Sequence, residues 1–242
     1  MWYFVRNDAA DYAAFKLLTE TSDRQKRYRI WTLKSFLLFF GTSLLGLAFL
    51  GKIHSLSTLP AEFAGVAEAL RAHSRLWAVS KSFLIGFSGA IVAGMVGGSI
   101  AATLLKHKKN IALTGDFEPL LPRNWAETFY TALLSLNAGL SEEFFFRLLI
   151  PLLLTLILGK AMLAFVLAAI LFGLIHAYQG WVGVLATTVV GTLLTVLYVW
   201  TGNIWIAAGA HALLDLLNLV VRPSITRIFL PGDSKGLARS AD

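Results

Sequence analysis

Two adjacent glutamates and an arginine, Glu142-Glu143-Phe144-Phe145-Phe146-Arg147, stand inside a strongly apolar stretch. Two histidines and one aspartate follow: His176, His211 and Asp215. From Ala161 to Val221 there is no Lys, Arg or Glu and no Asp besides Asp215. A charge near the centre of a bilayer costs about 2.5–3.5 kcal/mol on insertion scales, so such groups ordinarily face a cavity. A carboxylate with two imidazoles can activate a water and stabilise an oxyanion. The set Glu142, His176 and His211 can also hold a divalent metal such as zinc.

Spacing suggests how these groups divide the work. Residues four apart share a helix face, so Glu143 and Arg147 can pair in the favourable Glu-before-cation order. Glu142 is rotated by about 100° and left to face something else. His211 and Asp215 are also four apart, and the carboxylate can orient the imidazole. Phe172 lies one turn before His176 on the same face. The bland alternatives are a capped helix with a local ion pair, a core histidine at a helix end, and a polar clamp between helices. Those alternatives weaken jointly, because three separate apolar segments each supply one group.

The elements that must position these residues follow from composition. The chain has 242 residues, 57% hydrophobic and 14% charged. A soluble domain carries nearer 25% charged residues. The apolar runs are continuous rather than alternating, which argues against a β-barrel. The expected fold is all-α, a polytopic membrane bundle of about six to seven spanning or half-spanning helices. With no cysteine, disulfides, thiolate metal sites and a cysteine nucleophile are excluded. The net charge of +7 reads as topology and lipid headgroups rather than nucleic acid, since the basic residues cluster at helix ends. The first apolar run starts too late for a cleavable signal peptide.

Along the chain, residues 1–31 read as a basic, partly amphipathic cytoplasmic segment containing Arg24-Gln25-Lys26-Arg27-Tyr28-Arg29. Residues 32–221 form the integral membrane domain, and 222–242 a mobile basic tail. Spans are expected at Trp31–Leu50 and Ser82–Leu105, the second with a Gly94–Gly98 packing pair. A short amphipathic helix is expected after Pro60, and a cytoplasmic stop at Lys106–Lys109. A helix starting near Asn124 is expected to weaken at Asn137-Ala138-Gly139 and turn back before crossing. Ser141 is then the N-cap of a new helix over 142–158, with both glutamates in its first turn. Helices over 161–177, 181–200 and 203–221 complete the set. Positive-inside bias puts both basic termini and the reactive groups on the cytoplasmic side.

Glu142-Glu143-xxx-Arg147, Phe172-xxx-His176 and His211-xxx-Asp215 resemble, in order and spacing, the three-motif signature of the CPBP intramembrane proteases, the CAAX-processing and bacteriocin-processing enzymes. The resemblance covers about 125–221. It implies an endopeptidase that cleaves a peptide or membrane-associated protein near its C-terminus. Carried over, Glu142 is the general base, His176 its partner, and His211 with Asp215 the third corner. Many members have Asn at the last position; Asp215 cannot donate as an amide does. Glu143, Arg147 and Phe172 are structural support. Small size and absence of cysteine point to a bacterial inner membrane. There is no HExxH, and Gly86-Phe87-Ser88-Gly89 reads as packing glycines rather than a serine-protease motif. The alternative is a proton-coupled transporter using Glu142, His176, His211 and Asp215 as a relay.

Overall fold

The computed structural model describes residues 2–76 and 117–229, with side chains from residue 9 to 72 and 117 to 228. The expected span Ser82–Leu105, its Gly94–Gly98 pair, the Lys106–Lys109 stop and residues 230–242 lie outside the described residues. What is described is helical, without strands. Helix α1 is Trp2–Lys16 and α2 Thr21–Phe49. Helix α3, Ala64–Leu76, is the amphipathic helix expected after Pro60. Helix α4 runs over 125–158, α5 is Ala161–Ile175, α6 Gly180–Thr201 and α7 204–229. Of the segment read as a mobile tail, Arg222–Phe229 therefore continues α7 as helix.

Among the described residues three helices are long and apolar enough to cross a membrane: Thr21–Phe49, Ala177–Thr201 and Ile204–Ile228. Helix α5 is apolar but shorter. Helix α4 is longer than any of them, about 50 Å at 1.5 Å per residue. Its three central charges set it apart. The protein is an integral membrane helical bundle.

Helix α4 overturns one expectation. The break at Asn137-Ala138-Gly139 and the N-cap at Ser141 do not occur; the helix runs on from Trp125 through Glu143 and beyond. Asn137 sends its amide outward instead, donating to Ser35 Oγ at 2.7 Å and the Thr32 carbonyl at 3.2 Å. Gly139 is a contact point with α7. A Cβ there would stand 2.6 Å from Ala212 Cβ and 2.7 Å from the Ala208 carbonyl oxygen. Both residues serve tertiary contacts, and these override their local helix-breaking tendency. Glu142 and Glu143 are thus mid-helix, and helix-terminus stabilisation does not apply to them. The true N-cap is Asn124, whose Oδ1 accepts from the Glu127 N–H at 2.9 Å.

One π-helical stretch, Phe144–Leu149, interrupts α4 just before Pro151. A mid-helix proline donates no N–H, and its ring crowds the carbonyl four residues back, here Arg147. A wide turn accommodates that locally. A second π turn, Phe36–Gly41, lies in α2. The Ser43 hydroxyl donates to the Phe39 carbonyl at 2.6 Å beside it. The two wide turns meet through aromatic pairs: Phe39 with Phe145 at 5.1 Å and Phe40 with Phe144 at 5.4 Å.

Helix α4 is the axis of the bundle. Helix α2 runs parallel to it, Thr21 bonding Asn124, Arg24 bonding Glu127 and Ser35 bonding Asn137. Helix α7 runs antiparallel, from Thr131 against Leu219 to Gly139 against Ala208 and Ala212. Helix α5 folds back along the second half of α4, and α6 packs on α5 and α7. One core, around Leu47, Phe63, Phe144, Leu148, Phe165 and Tyr198, fills the end near Gly159 and Gly202. Both glycines have positive φ and end helices there. A second cluster, Tyr12, Phe15, Tyr28 and Leu120, closes the opposite end.

That opposite end is also tied by a buried ion pair. Arg24 Nε lies 3.0 Å from Glu127 Oε2, both side chains fully buried. Arg24 donates further to Tyr28 Oη and to the carbonyls of Pro119 and Leu121. Arg227 donates to the Pro122 carbonyl at 2.7 Å. The strap before α4 is thereby bound to α2 and to the end of α7.

Candidate active site

Each candidate residue is placed by a helix described above. Glu142 and Glu143 sit at the last α-helical turn before the π stretch of α4, and Arg147 sits within that stretch. His176 ends α5, and His211 and Asp215 are one turn apart in α7.

Glu143 is the centre of a buried polar cluster. Its Oε2 lies 3.0 Å from Arg147 Nε, and its Oε1 lies 2.8 Å from His211 Nδ1. A carboxylate only accepts, so the proton in the second contact is on His211 Nδ1. The other ring nitrogen is Nε2. That nitrogen is 3.8 Å from Asp215 Oδ2, beyond hydrogen-bond distance. The Arg147 nitrogens have no aligned hydrogen bond. The guanidinium instead stacks on the Phe172 ring, 4.1 Å from its centroid, a favourable arrangement where water is excluded.

Phe172 joins the two histidines. Its ring centroid is 4.8 Å from that of His176 and 6.0 Å from that of His211. Its carbonyl accepts from His176 Nδ1 at 2.8 Å. This fixes the proton of the neutral His176 ring on Nδ1 and leaves Nε2 as an acceptor. Gly191 of α6 makes the close packing possible: a Cβ there would stand 2.7 Å from the Phe172 ring and 3.1 Å from Arg147 Nη2.

Glu142 faces away from this cluster, as a one-residue rotation requires. It lines a cavity of about 400 Å³ between α2, α4 and α5. His176 lines the same cavity from α5. Trp31, Lys34 and Phe39 supply the α2 wall, and Ala138 and Phe146 flank Glu142. Tyr12 and Tyr178, 5.0 Å apart and edge to face, stand in the wall at the end where α1 crosses. Glu142 Oε2 is buried and makes no hydrogen bond.

The candidate residues therefore fall into two groups. Glu142 and His176 share the cavity. Glu143, Arg147, His211 and Asp215 stand behind it, joined to His176 through Phe172. His211 is not part of the cavity wall. Among the described residues no three of His, Asp and Glu are placed to hold one ion. Glu142, His176 and His211 thus do not fit as a zinc set. Sequence reasoning missed Lys34, Trp31, Tyr12 and Tyr178 as wall residues. Tyr178, two residues beyond His176, was the one within reach of a local signal.

Residues 124–217 match the family model described as type II CAAX prenyl endopeptidase Rce1-like. No curated protein and no solved structure matches the chain. The matched segment runs from the N-cap of α4 into α7 and carries all three motifs. It agrees with the resemblance read from those motifs, and the family implies an intramembrane endopeptidase of the CAAX type.

Proposed function

We propose that this protein hydrolyses a peptide bond of a peptide or membrane-associated protein near its C-terminus, with Glu142 as the base that activates water. The carrying observation is that Glu142, alone of the paired glutamates, faces the cavity, with His176 beside it. A water in the cavity donates one hydrogen to the Glu142 carboxylate and one to His176 Nε2. Its oxygen adds to the scissile carbonyl carbon as Glu142 takes the proton. Glu142 returns that proton to the leaving nitrogen, the C–N bond breaks, and a carboxylate and an amine result. This is general acid–base catalysis with one carboxylate in both roles.

His211 acts in this reading through Glu143, and Asp215 stands one turn further along α7. His211 holds one Glu143 oxygen, and Arg147 neutralises the other. The Arg147–Phe172 stack then sets the orientation of His176. The proton-relay transporter uses the same residues, but the family match of the segment that carries them favours hydrolysis.

The site opens toward the cytoplasm of a bacterial inner membrane in this reading. The cavity wall reaches Tyr12, Leu120 and Tyr178, at the end that carries Arg24, Lys26, Arg27, Arg29, Arg123 and Arg227. The opposite end has Lys52, Arg71 and Lys160. The imbalance follows the positive-inside rule. The uninterrupted α4 leaves this sidedness intact, because one crossing still puts Gly159 opposite Asn124.

The test is a comparison of membrane proteomes from cells carrying wild type or Glu142→Gln. A precursor that keeps its C-terminal segment only in the variant is expected. Identical C-termini in both, with equal protein levels, would overturn the hydrolase reading.

A further inference from the structure

Helix α1 presents one aromatic face to the bundle. Tyr12 and Phe15 are buried, while Ala9, Ala10, Ala13 and Ala14 are exposed. Phe15 is held in an aromatic seat on α2. The Arg24 guanidinium lies 4.3 Å from its ring centroid, and the Trp31 and Tyr28 rings lie at 4.8 and 5.3 Å. Tyr12, one turn earlier, stands in the cavity wall and meets Tyr178 edge to face at 5.0 Å. Helix α1 there packs on Ala177–Gln179, the short turn that directly follows His176.

The level of this contact along the bundle follows from Trp31, which lines the cavity and touches Phe15. Trp31 is four residues before Ser35, which bonds Asn137, and Glu142 is five residues beyond Asn137. In parallel helices at 1.5 Å per residue, the two offsets put α1 about 13 Å from Glu142 along the axis. Helix α1 therefore bears on passage to Glu142 and not on the groups beside it. Two features let such a helix leave its place. Residues 18–20, which join it to α2, have no regular structure. Its outer tie is the ion pair of Asp11 with Arg27 at 3.3 Å, both partly exposed. Pairs of that kind are weak and screened by salt. A fifteen-residue helix also depends on packing to stay formed, so the aromatic seat governs whether α1 is docked.

We propose that α1 is a lid. Docked, it closes the cavity at the end that carries the basic side chains; swung out on residues 17–20, it opens a water-side path to Glu142. The lid touches the site at one point, Tyr12 on Tyr178, two residues past His176. Undocking takes Tyr12 out of the wall there and frees the turn that follows His176. The lid controls access and holds whichever reaction Glu142 performs. Helix α1 lies outside the segment 124–217 that matches the family model, so the lid belongs to a part of the chain that the match does not describe.

The experiment reads the reactivity of one thiol placed in this cysteine-free chain. The full-length protein is held in lipid nanodiscs, so that a charged reagent must arrive through water. Ala138→Cys puts the thiol in the cavity wall, one turn before Glu142. The reagent is sulfonatoethyl methanethiosulfonate. Phe15→Ala empties the seat of α1 and is expected to speed labelling at position 138 by at least about tenfold. Asp11→Asn removes the outer tie and is expected to speed it by about threefold. High salt should bring the parent toward the Asp11→Asn rate and leave that variant unchanged. Ser135→Cys is the control, buried on the same helix outside the cavity wall. Its thiol should stay slow in every background.

Unchanged labelling at position 138 in Phe15→Ala and Asp11→Asn would overturn the proposal. So would a parent that labels at 138 as fast as at exposed Ser22→Cys, since the cavity would then be open with α1 docked. An equal rise at positions 135 and 138 would overturn it as well, because the whole bundle would have loosened. Should Phe15→Ala not fold, the Asp11→Asn rates at low and high salt decide alone. The hydrolase reading is judged separately, by the Glu142→Gln proteome, and no labelling result bears on it.

Discussion

At the scale of single residues, two neighbouring glutamates have different surroundings because a helix rotates them apart. Glu143 is fully buried between Arg147 and His211, and Glu142 is open to the cavity. Arg147→Ala would leave Glu143 with only His211 as a partner. Removing one member of a buried ion pair typically costs about 3–5 kcal/mol, and here the Phe172 stack goes as well. A large fall in the detergent melting temperature is expected. A variant that melts like wild type would show that Arg147 does not hold the cluster.

A weaker pair lies outside the membrane. Lys52 Nζ is 2.6 Å from Glu62 Oε1, both partly exposed. The hydrogen bond from Lys52 holds the Glu62 carboxyl below the ordinary glutamate value. A depressed carboxylate pKa means the folded state binds fewer protons there, so the contribution is present above the unfolded value, near 4.3. It is lost as the pH falls through the lowered folded value. Glu62→Gln should therefore melt slightly below wild type at neutral pH, and the two should converge in acid. A gap that stays constant down through that range would contradict the pairing.

At the scale of elements, close approach of α4 and α7 brings Glu143 to His211. Gly139 permits it, since the atoms a Cβ would meet include the α7 backbone. Gly139→Ala is expected to force the helices apart, at about 1–3 kcal/mol by analogy with overpacked cores, and to reduce activity by moving His211. Gly209→Ala is the control: nothing lies within 4 Å of a Cβ there, and no loss is expected. Equal melting of the two variants would show that the helix contact is not tight. Local sequence rules misread this element. Asn137-Ala138-Gly139 has the composition of a helix end, and only partners more than sixty residues away make it continuous. Helices α5 and α6 were legible because uninterrupted apolar runs end at Gly159-Lys160 and Gly202. The π stretches, Phe36–Gly41, Phe144–Leu149 and Leu217–Val221, left no readable period in the sequence. The motif residues were legible by type and spacing. Their division into a cavity pair and a buried cluster was not, because Glu143 reaches His211 only through the α4–α7 packing.

At the scale of the whole molecule, one end gathers the basic side chains, the buried Arg24–Glu127 pair and the cavity rim. The tail of α7 is bound to that end by Arg227. A cysteine placed at Ser224 of this cysteine-free chain is expected to react with a membrane-impermeant maleimide only after the cells are opened. Labelling in intact cells would reverse the sidedness of tail and site together. The α2 wall of the cavity lies outside the segment 124–217 that matches the family model. The proposed reacting groups therefore come from the matched segment, and much of the cavity wall comes from helices the motifs do not reach.

The division of labour between Glu142 and Glu143 is tested most directly by exchanging each for glutamine. Once a cleaved precursor is identified, its cleavage and the melting temperature are measured for both variants in detergent. Glu142→Gln should melt with wild type and cleave nothing, because it keeps volume and loses only the base. Glu143→Gln should melt lower, because it weakens the contacts to Arg147 and His211. Cleavage by purified Glu142→Gln at the wild-type rate would contradict the assignment of Glu142 as the base.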